Sequence, residues 1–477
     1  MLLSLSVAGA VSLLVSITIA RMVGVEDFGV YSILISVQNV VAIFAIFGIG
    51  TALAKFIAEF KVRSTEQAYR FAKTGLFLVL VLGLVASLVY AALSGLIGNT
   101  LYKEPLVVSL IPFSALVVFT FAMLAALIGI VQGCQKIKLL AAIQVSGPVL
   151  NLVFIVLFLS LLDLKGIFVG YFVAQILLVS VVAVILNRGD FKFLRVPLQL
   201  RSSGVVAKTF GFALPAFLGS IIVLPVYWVG NTLLTLDSGF DAMGYFAVAY
   251  VIFQSLVMMP TAVVIPMIPK VSELSVMDND RIESLVGKTV RTLSIVLFPL
   301  MFGLALFAHY VVELLYGSKY SSSTEVVYLM VSATYFYALS ALVGALIAGK
   351  GRMWLGLAIN LCWAAIFLLI ALFAVPSEGV NGLGLAFAVS YGIFLVASFV
   401  VSKESLGVDL KSTYMSAASS AVFFIVGFVL LSEVGPSEIL LKLALFAVAV
   451  VYFFVIGRDA FAYVFGKARG MLRAGSR

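Results

Sequence analysis

Charge is what this chain lacks. Only 11% of its residues are Asp, Glu, Lys or Arg, about half the share that soluble globular chains carry. Histidine occurs once, tryptophan three times and cysteine twice. Cys134 and Cys362 stand alone in or beside apolar runs. They offer neither a disulfide framework nor metal-ligand spacing, so both read as small buried hydrophobes and no metal site is expected. No H-E-x-x-H, G-x-G-x-x-G or complete G-x-x-x-x-G-K-[ST] occurs, which removes the metalloprotease, dinucleotide and ATP signatures. The stretch "LVGKTV" (Leu285–Val290) is a phosphate-loop fragment without its upstream glycine. With no cluster of polar catalytic residues, neither an enzyme nor a bound cofactor is expected. No stretch is long and polar enough to form a soluble domain.

What is present is apolar length. The composition is 63% hydrophobic with a mean hydropathy of +1.22. Runs of roughly 18 to 25 apolar residues recur, each long enough to cross a ~30 Å hydrocarbon core. The expected fold is an all-α polytopic membrane protein with about fourteen transmembrane helices. They lie near 2–20, 30–54, 75–98, 106–131, 139–161, 167–187, 209–233, 243–267, 290–312, 326–348, 353–375, 381–400, 413–432 and 439–457. The first run reads as a retained span and not a cleaved leader, having no basic segment before it and no A-x-A site after it.

The net charge of +9 is spread through short loops, so it points to anionic lipid headgroups and not to nucleic acid. Alternate gaps hold 25 of the 30 Lys and Arg residues. The remaining five, Arg21, Lys103, Lys165, Lys319 and Lys442, fall on the other side. The positive-inside rule then places both termini in the cytoplasm of a multi-pass cell-membrane protein. Lys55 and Glu59, four apart at the end of the second span, are expected to pair there.

One constant shift, the one that carries Glu26 onto Asp241, superposes "EDFGVY" (Glu26–Tyr31) on "DAMGYF" (Asp241–Phe246). Without a gap it also lays "AKT" (Ala72–Thr74) on "GKT" (Gly287–Thr289), and "LIG" (Leu127–Gly129) on "LVG" (Leu342–Gly344). The shift covers six spans, an even number, so the halves are parallel repeats related by an axis along the membrane normal. The expected organisation is an N-lobe at 1–190 and a linker at 191–208. A C-lobe follows at 209–400, then two additional helices and a basic tail at 401–477. Two facing six-helix lobes suit alternating-access transport by a monomer. In the duplicated turn, Gly29 is expected to relieve a close approach and the acids to cap the next helix.

Buried amides cost several kcal/mol when unpaired in lipid. Gln38, Asn39, Asn151, Asn231 and Gln254 are therefore candidates either for interhelical hydrogen bonds or for lining a cleft. Pro215 and Pro225 both fall in the seventh span and are candidate gating breaks. His309 and Glu313, one helical turn apart, are a candidate proton-coupling pair. Arg21 closes the first span on the lysine-poor side, where it either snorkels outward or contacts an anion. Gly129 and Gly133 form a G-x-x-x-G, a close-packing signal.

The segments "ARMVGVEDFGVYS", "GIGTALAKFIAEF" and "IGIVQGCQKIKLLAAIQVSGPVLNLV" resemble the polysaccharide biosynthesis membrane proteins, O-antigen-type flippases of the multidrug/oligosaccharidyl-lipid/polysaccharide exporter superfamily. That resemblance implies a flippase moving polyisoprenoid pyrophosphate-linked oligosaccharides, beside glycosyltransferases or a polymerase. It also implies that Arg21, in the A-R-x-x-G setting of related peptidoglycan lipid flippases, lines the cavity. The driving force stays open among Na+, H+ and the membrane potential. A cation-coupled multidrug exporter and a non-transporting scaffold for polysaccharide assembly remain as alternatives.

Overall fold

The computed structural model describes residues 2–188, 204–275, 279–408, 420–429 and 439–456. Among them there is no strand. The helices are α1 (Leu2–Val23), α2 (Val25–Ile46), α3 (Ile49–Arg63), α4 (Thr65–Ala92), α5 (Pro105–Gly133), α6 (Ile137–Arg188) and α7 (Val205–Ser220). They continue with α8 (Val223–Leu274), α9 (Asn279–Leu306), α10 (Ala308–Tyr316), α11 (Thr324–Gly349) and α12 (Met353–Glu404). The last two are α13 (Ser420–Val429) and α14 (Ile439–Ile456). A π-turn (Leu96–Leu101) precedes α5 and a 3-10 turn (Ser318–Ser323) precedes α11.

Among the described residues, eight helical stretches are long and apolar enough to cross a membrane. Three of them, α6, α8 and α12, contain 52 residues each, roughly 78 Å of helix at 1.5 Å per residue. None of the three is continuous. The backbone leaves the helical region at Leu162 and Asp163, at Gly239, and at Gly379. The α6 and α12 halves fold back on themselves: Gly170 lies against Ile155, and the Trp363 and Phe367 rings meet Tyr391 and Phe387. Counted at these breaks, each of the fourteen expected spans falls on helix, the thirteenth being described over 420–429. The linker at 191–208 lies outside the described residues except for 204–208, which open α7, and the basic tail lies outside them entirely.

The repeat is written in the backbone. Gly24 (φ 93°, ψ 179°) and Gly239 (φ 86°, ψ 178°) make the same turn, and the shift that carries Glu26 onto Asp241 superposes them. Further on the spacing lengthens by one. Gln135 and Gly351 both take positive φ, and the Lys136 amide bonds the Val131 carbonyl as the Arg352 amide bonds that of Ile347. Asp163 (φ 49°, ψ −143°) matches Gly379 (φ 53°, ψ −121°). Gly166 packs on the Phe158 carbonyl as Gly382 does on that of Ala374. Since α5 and α11 run unbroken into the Gln135 and Gly351 turns, they share the longer spacing. The sequence alignment of "LIG" with "LVG" is thus one position out of register. The structural counterpart of Gly129 is Ala345, in agreement with Gly129 pressing on Gly50 while Gly344 has no neighbour within 4 Å of its missing Cβ.

The chain divides into two compact units, Met1–Gly244 and Tyr245–Arg477, with the division inside α8. In the first unit Gly129 and Gly133 let α5 press on α3 at Gly50 and Ile57, the close-packing use of small residues in lipid. In the second unit α11 is buried along most of its length and holds α13 by two tyrosines. The Tyr328 hydroxyl donates to the Phe424 carbonyl at 2.7 Å, and the Tyr335 hydroxyl shares a 2.8 Å hydrogen bond with Ser420. Phe446 of α14 fills the space a Cβ on Gly303 would take. The pair of helices outside the repeat is thereby fastened to the second unit. The cysteines part company: Cys134 is buried as expected, but Cys362 is exposed on α12.

Asp163 holds a conformation that glycine adopts freely and other residues adopt at a cost of about 1–3 kcal/mol. Asp163→Gly is expected to raise the apparent melting temperature of the purified protein, and Gly379→Ala to lower it. Fluorescence-monitored melting in detergent reads both.

Candidate functional site

The helices that line up beside the duplicated turns meet in one seam of the first unit: α2 and α3 on one side, and on the other α7, the first half of α8 and the opening turn of its second half. It has three layers. At the Gly24 end the two repeat-related helix starts touch through reciprocal contacts. A Cβ on Gly29 would collide with the Phe240 carbonyl, and one on Gly244 would collide with the Val25 carbonyl. The repeat shift carries Val25 onto Phe240 and Gly29 onto Gly244, so one contact is the repeat image of the other. Only glycine admits so close a backbone approach.

The middle layer is polar. Asn231 is 5% exposed and donates from Nδ2 to Ser36 Oγ at 3.1 Å. Beside it, Tyr102 and Thr232 share a 2.8 Å hydrogen bond, and the Trp228 indole N–H donates to the Tyr102 hydroxyl at 3.1 Å. Each partner satisfies a group that would otherwise be stranded in an apolar environment.

The inner layer is aromatic, and both strands of the seam are broken there. Phe47 takes a left-handed conformation (φ 47°) between α2 and α3, followed by Gly48 (φ 69°). Opposite, the chain turns at Ile221 and Ile222 between α7 and α8. Pro225 explains that turn, because it has no N–H and its ring excludes the carbonyl four residues back, that of Ile221. Phe47 stacks on Phe217 at 4.2 Å and meets Phe210 edge-on at 5.5 Å. The absent Cβ of Gly48 leaves room for the Ala213 carbonyl, 2.6 Å from where it would lie. Farther along, Phe56 meets Phe212 and stacks on Phe71.

The structure places the other candidates as follows. Arg21 is exposed in the last turn of α1. A cavity of about 450 Å³ opens beside the same turn, lined by Met22, Val23, Asp27, Asp163 and Lys165 among others. The helix that follows is capped by Gly24 without any side-chain cap; the expectation that Glu26 or Asp27 caps it is corrected, since both acids fall inside the first turn. Gln38 is buried and accepts from Ser114, in turn the acceptor for Tyr90, a chain within the first unit. Asn39 and Asn151 are half-buried. Gln254 is exposed on the second half of α8. Pro215 lies in α7; Pro225 is half-buried at the start of α8. His309 and Glu313 approach to 3.6 Å on α10. The expected Lys55–Glu59 pair does not form: Glu59 binds Arg63 at 3.3 Å, and the Lys55 ammonium lies 4.1 Å from the Phe212 ring centroid.

Sequence reasoning missed Gly24 and Gly239, which the repeat shift does superpose. It also missed Phe47, Gly48 and the α7 phenylalanines, because an aromatic between apolar neighbours carries no signal of its partner. Lys350 and Arg352, in the turn between α11 and α12, bind the carbonyls of Leu406 and Ser405. Burial and the nearby Arg352 pull the Lys350 ammonium below the usual lysine range.

Residues 18–325 match a protein family described as polysaccharide biosynthesis protein. Comparison with curated proteins returns no significant match. Among solved structures, the chain is similar to the lipid II flippase MurJ in an inward closed conformation, with a TM-score of 0.73 and 13% identity over 96% of this chain and 99% of that one. An inward-facing multidrug resistance MATE family transporter gives 0.69 and 13% over 84% and 94%. A MOP superfamily transporter from Pyrococcus furiosus gives 0.64 and 15% over 85% and 94%. At these identities the likeness establishes a shared fold.

Gly29→Leu is expected to force the start of α2 away from the start of the second half of α8. In a Cys362→Ser background, a Val25→Cys reporter should then react faster with a membrane-impermeant maleimide than it does beside Gly29.

Proposed function

The chain belongs to the polysaccharide biosynthesis protein family, and on that premise we propose that it is a flippase for polyisoprenoid pyrophosphate-linked oligosaccharides. One observation carries the transport reading. The seam between α2–α3 and α7–α8 is built from glycine contacts, two helix breaks and few hydrogen bonds, the construction of parts that separate and rejoin. The family description and the likeness to a lipid II flippase support the substrate class.

In this reading the lysine-rich ends of the helices, and both termini, lie in the cytoplasm, as the distribution of basic residues supports. The Gly24 end faces outward, and Arg21 contacts the pyrophosphate as it passes. Asn231 and the Tyr102 hydroxyl supply hydrogen bonds to sugar when the seam opens, and the prenyl tail stays in the bilayer. Asn39, Asn151 and Gln254 are further candidates for sugar contact, and Gln38 for support behind them. Pro225 sets the hinge in the seventh span, with Pro215 in the helix it frees. Such a protein moves its substrate without making or breaking a bond in it. The His309–Glu313 pair is the candidate coupling group if protons drive the cycle; Na+ and the membrane potential are the other candidate drives. A single chain with both repeats works as a monomer, supplied and drained by glycosyltransferases or a polymerase.

The experiment is translocation in reconstituted vesicles. A prenyl pyrophosphate-linked oligosaccharide should cross faster than in protein-free vesicles, and Arg21→Ala should slow it about tenfold, the effect of losing about 1.4 kcal/mol. Transport of a cationic drug without lipid transport would favour a multidrug exporter. Absence of any transport by folded protein would leave the scaffold reading.

A further inference from the structure

Past the aromatic layer, the two sides of the seam exchange cations. Lys55 of α3 lies over Phe212 of α7 at 4.1 Å, and over its own neighbour Phe56 at 5.3 Å. Lys208 of α7 lies over Phe60 of α3 at 6.0 Å. The rings are contiguous: Phe212 meets Phe56 at 5.8 Å, and Phe56 meets Phe60 at 6.4 Å. Each helix thus holds the other by placing a lysine on one of its phenylalanines. Both lysines are exposed, and among the described residues neither ammonium forms an ion pair with a carboxylate.

The repeat shows that this is a departure from symmetry. Gly133 meets the Ala54 carbonyl and Ile57 as Gly349 meets the Ile268 carbonyl and Val271, so along α3 the structural counterpart of Lys55 is Pro269. The second repeat has no cation at this place, and the first-repeat lysine is parked on a ring. A ring face holds an exposed ammonium more weakly than a charge-assisted bond to a phosphate oxygen does.

We propose that Lys55 and Lys208 form a diphosphate-binding site whose occupation releases the α3–α7 seam. A diphosphate offers several acceptor oxygens at once. Drawing both ammonium groups onto it strips Phe212 and Phe60 of their cations and removes the exchange that ties the two helices. Ligand arrival and loosening are then one event, since the same two lysines cannot serve the rings and the anion together. The inference deepens the transport reading and rests on its diphosphate-bearing substrate, but the site itself is testable with a diphosphate alone.

The probe is inorganic pyrophosphate, titrated calorimetrically into the full chain in nanodiscs, with hydrogen–deuterium exchange of residues 206–213 as the second readout. Lys55→Gln and Lys208→Gln should each weaken binding about five- to tenfold. Phe60→Leu with Phe212→Leu should tighten it about three- to fivefold, because the lysines no longer leave a ring, and exchange in 206–213 should be fast before any ligand is added. Phe212→Trp, a better cation acceptor, should weaken binding and slow that exchange. In the unaltered chain pyrophosphate should speed it. The proposal is overturned if ring removal leaves the affinity unchanged or lower, if the glutamine variants bind as well as the parent, or if the folded parent does not bind. None of these readouts requires lipid movement, so failure of translocation in vesicles and failure of the latch are separate results.

Discussion

A helix start can rest on another helix's backbone only where no Cβ intervenes, and the Gly29–Phe240 and Gly244–Val25 contacts are of that kind. They tie the end of the seam where the two repeats' turns come together. Each is the other's image under the repeat shift. A backbone-on-backbone contact of this type has no rotamers to order and no polar side chains to desolvate. It closes tightly and opens without leaving a charged group stranded in lipid. The rest of the seam follows the same economy, with a few hydrogen bonds at Asn231 and Tyr102 and aromatic stacking about the Phe47 break.

Much of this architecture was legible in the sequence, because a bilayer leaves a chain few options. Every backbone group must be satisfied internally, so apolar runs of the right length become helices, and the fourteen spans follow. The parallel repeat was legible at "EDFGVY" and "DAMGYF" because a turn constrains its residues. It was misaligned by one at "LIG" and "LVG", where apolar helix tolerates any register and only the Gln135 and Gly351 turns disclose the extra residue. The seam itself was mostly hidden. Gly29 was expected to relieve a close approach, but nothing in the sequence names Phe240 as what approaches. Glu59 was paired with Lys55 by spacing, yet it has a second cation at the same spacing, Arg63. Phe212 then offers Lys55 a surface that only tertiary contact reveals.

Three differences between the halves fall at groups that carry charge. Arg21 is matched by Leu236 and Lys55 by Pro269, and Asp163 holds a turn that Gly379 makes without strain. The glycine turns and carbonyl contacts are kept in both halves because the fold requires them twice. The family membership and the fold shared with the lipid II flippase MurJ and with MATE family transporters accord with the transport proposal.

The central claim is that substrate parts the seam at one end while the contacts at the other end hold. Spin labels at Glu26→Cys with Asp241→Cys report the Gly24 end, and labels at Thr51→Cys with Ala207→Cys report the lysine end, all four positions being exposed. Pulsed dipolar measurements in nanodiscs, with and without a prenyl pyrophosphate-linked oligosaccharide, give both distances on the same protein. The account predicts that substrate lengthens one distance and leaves the other at its substrate-free value. Two distances that stay fixed, or that lengthen together, would contradict it.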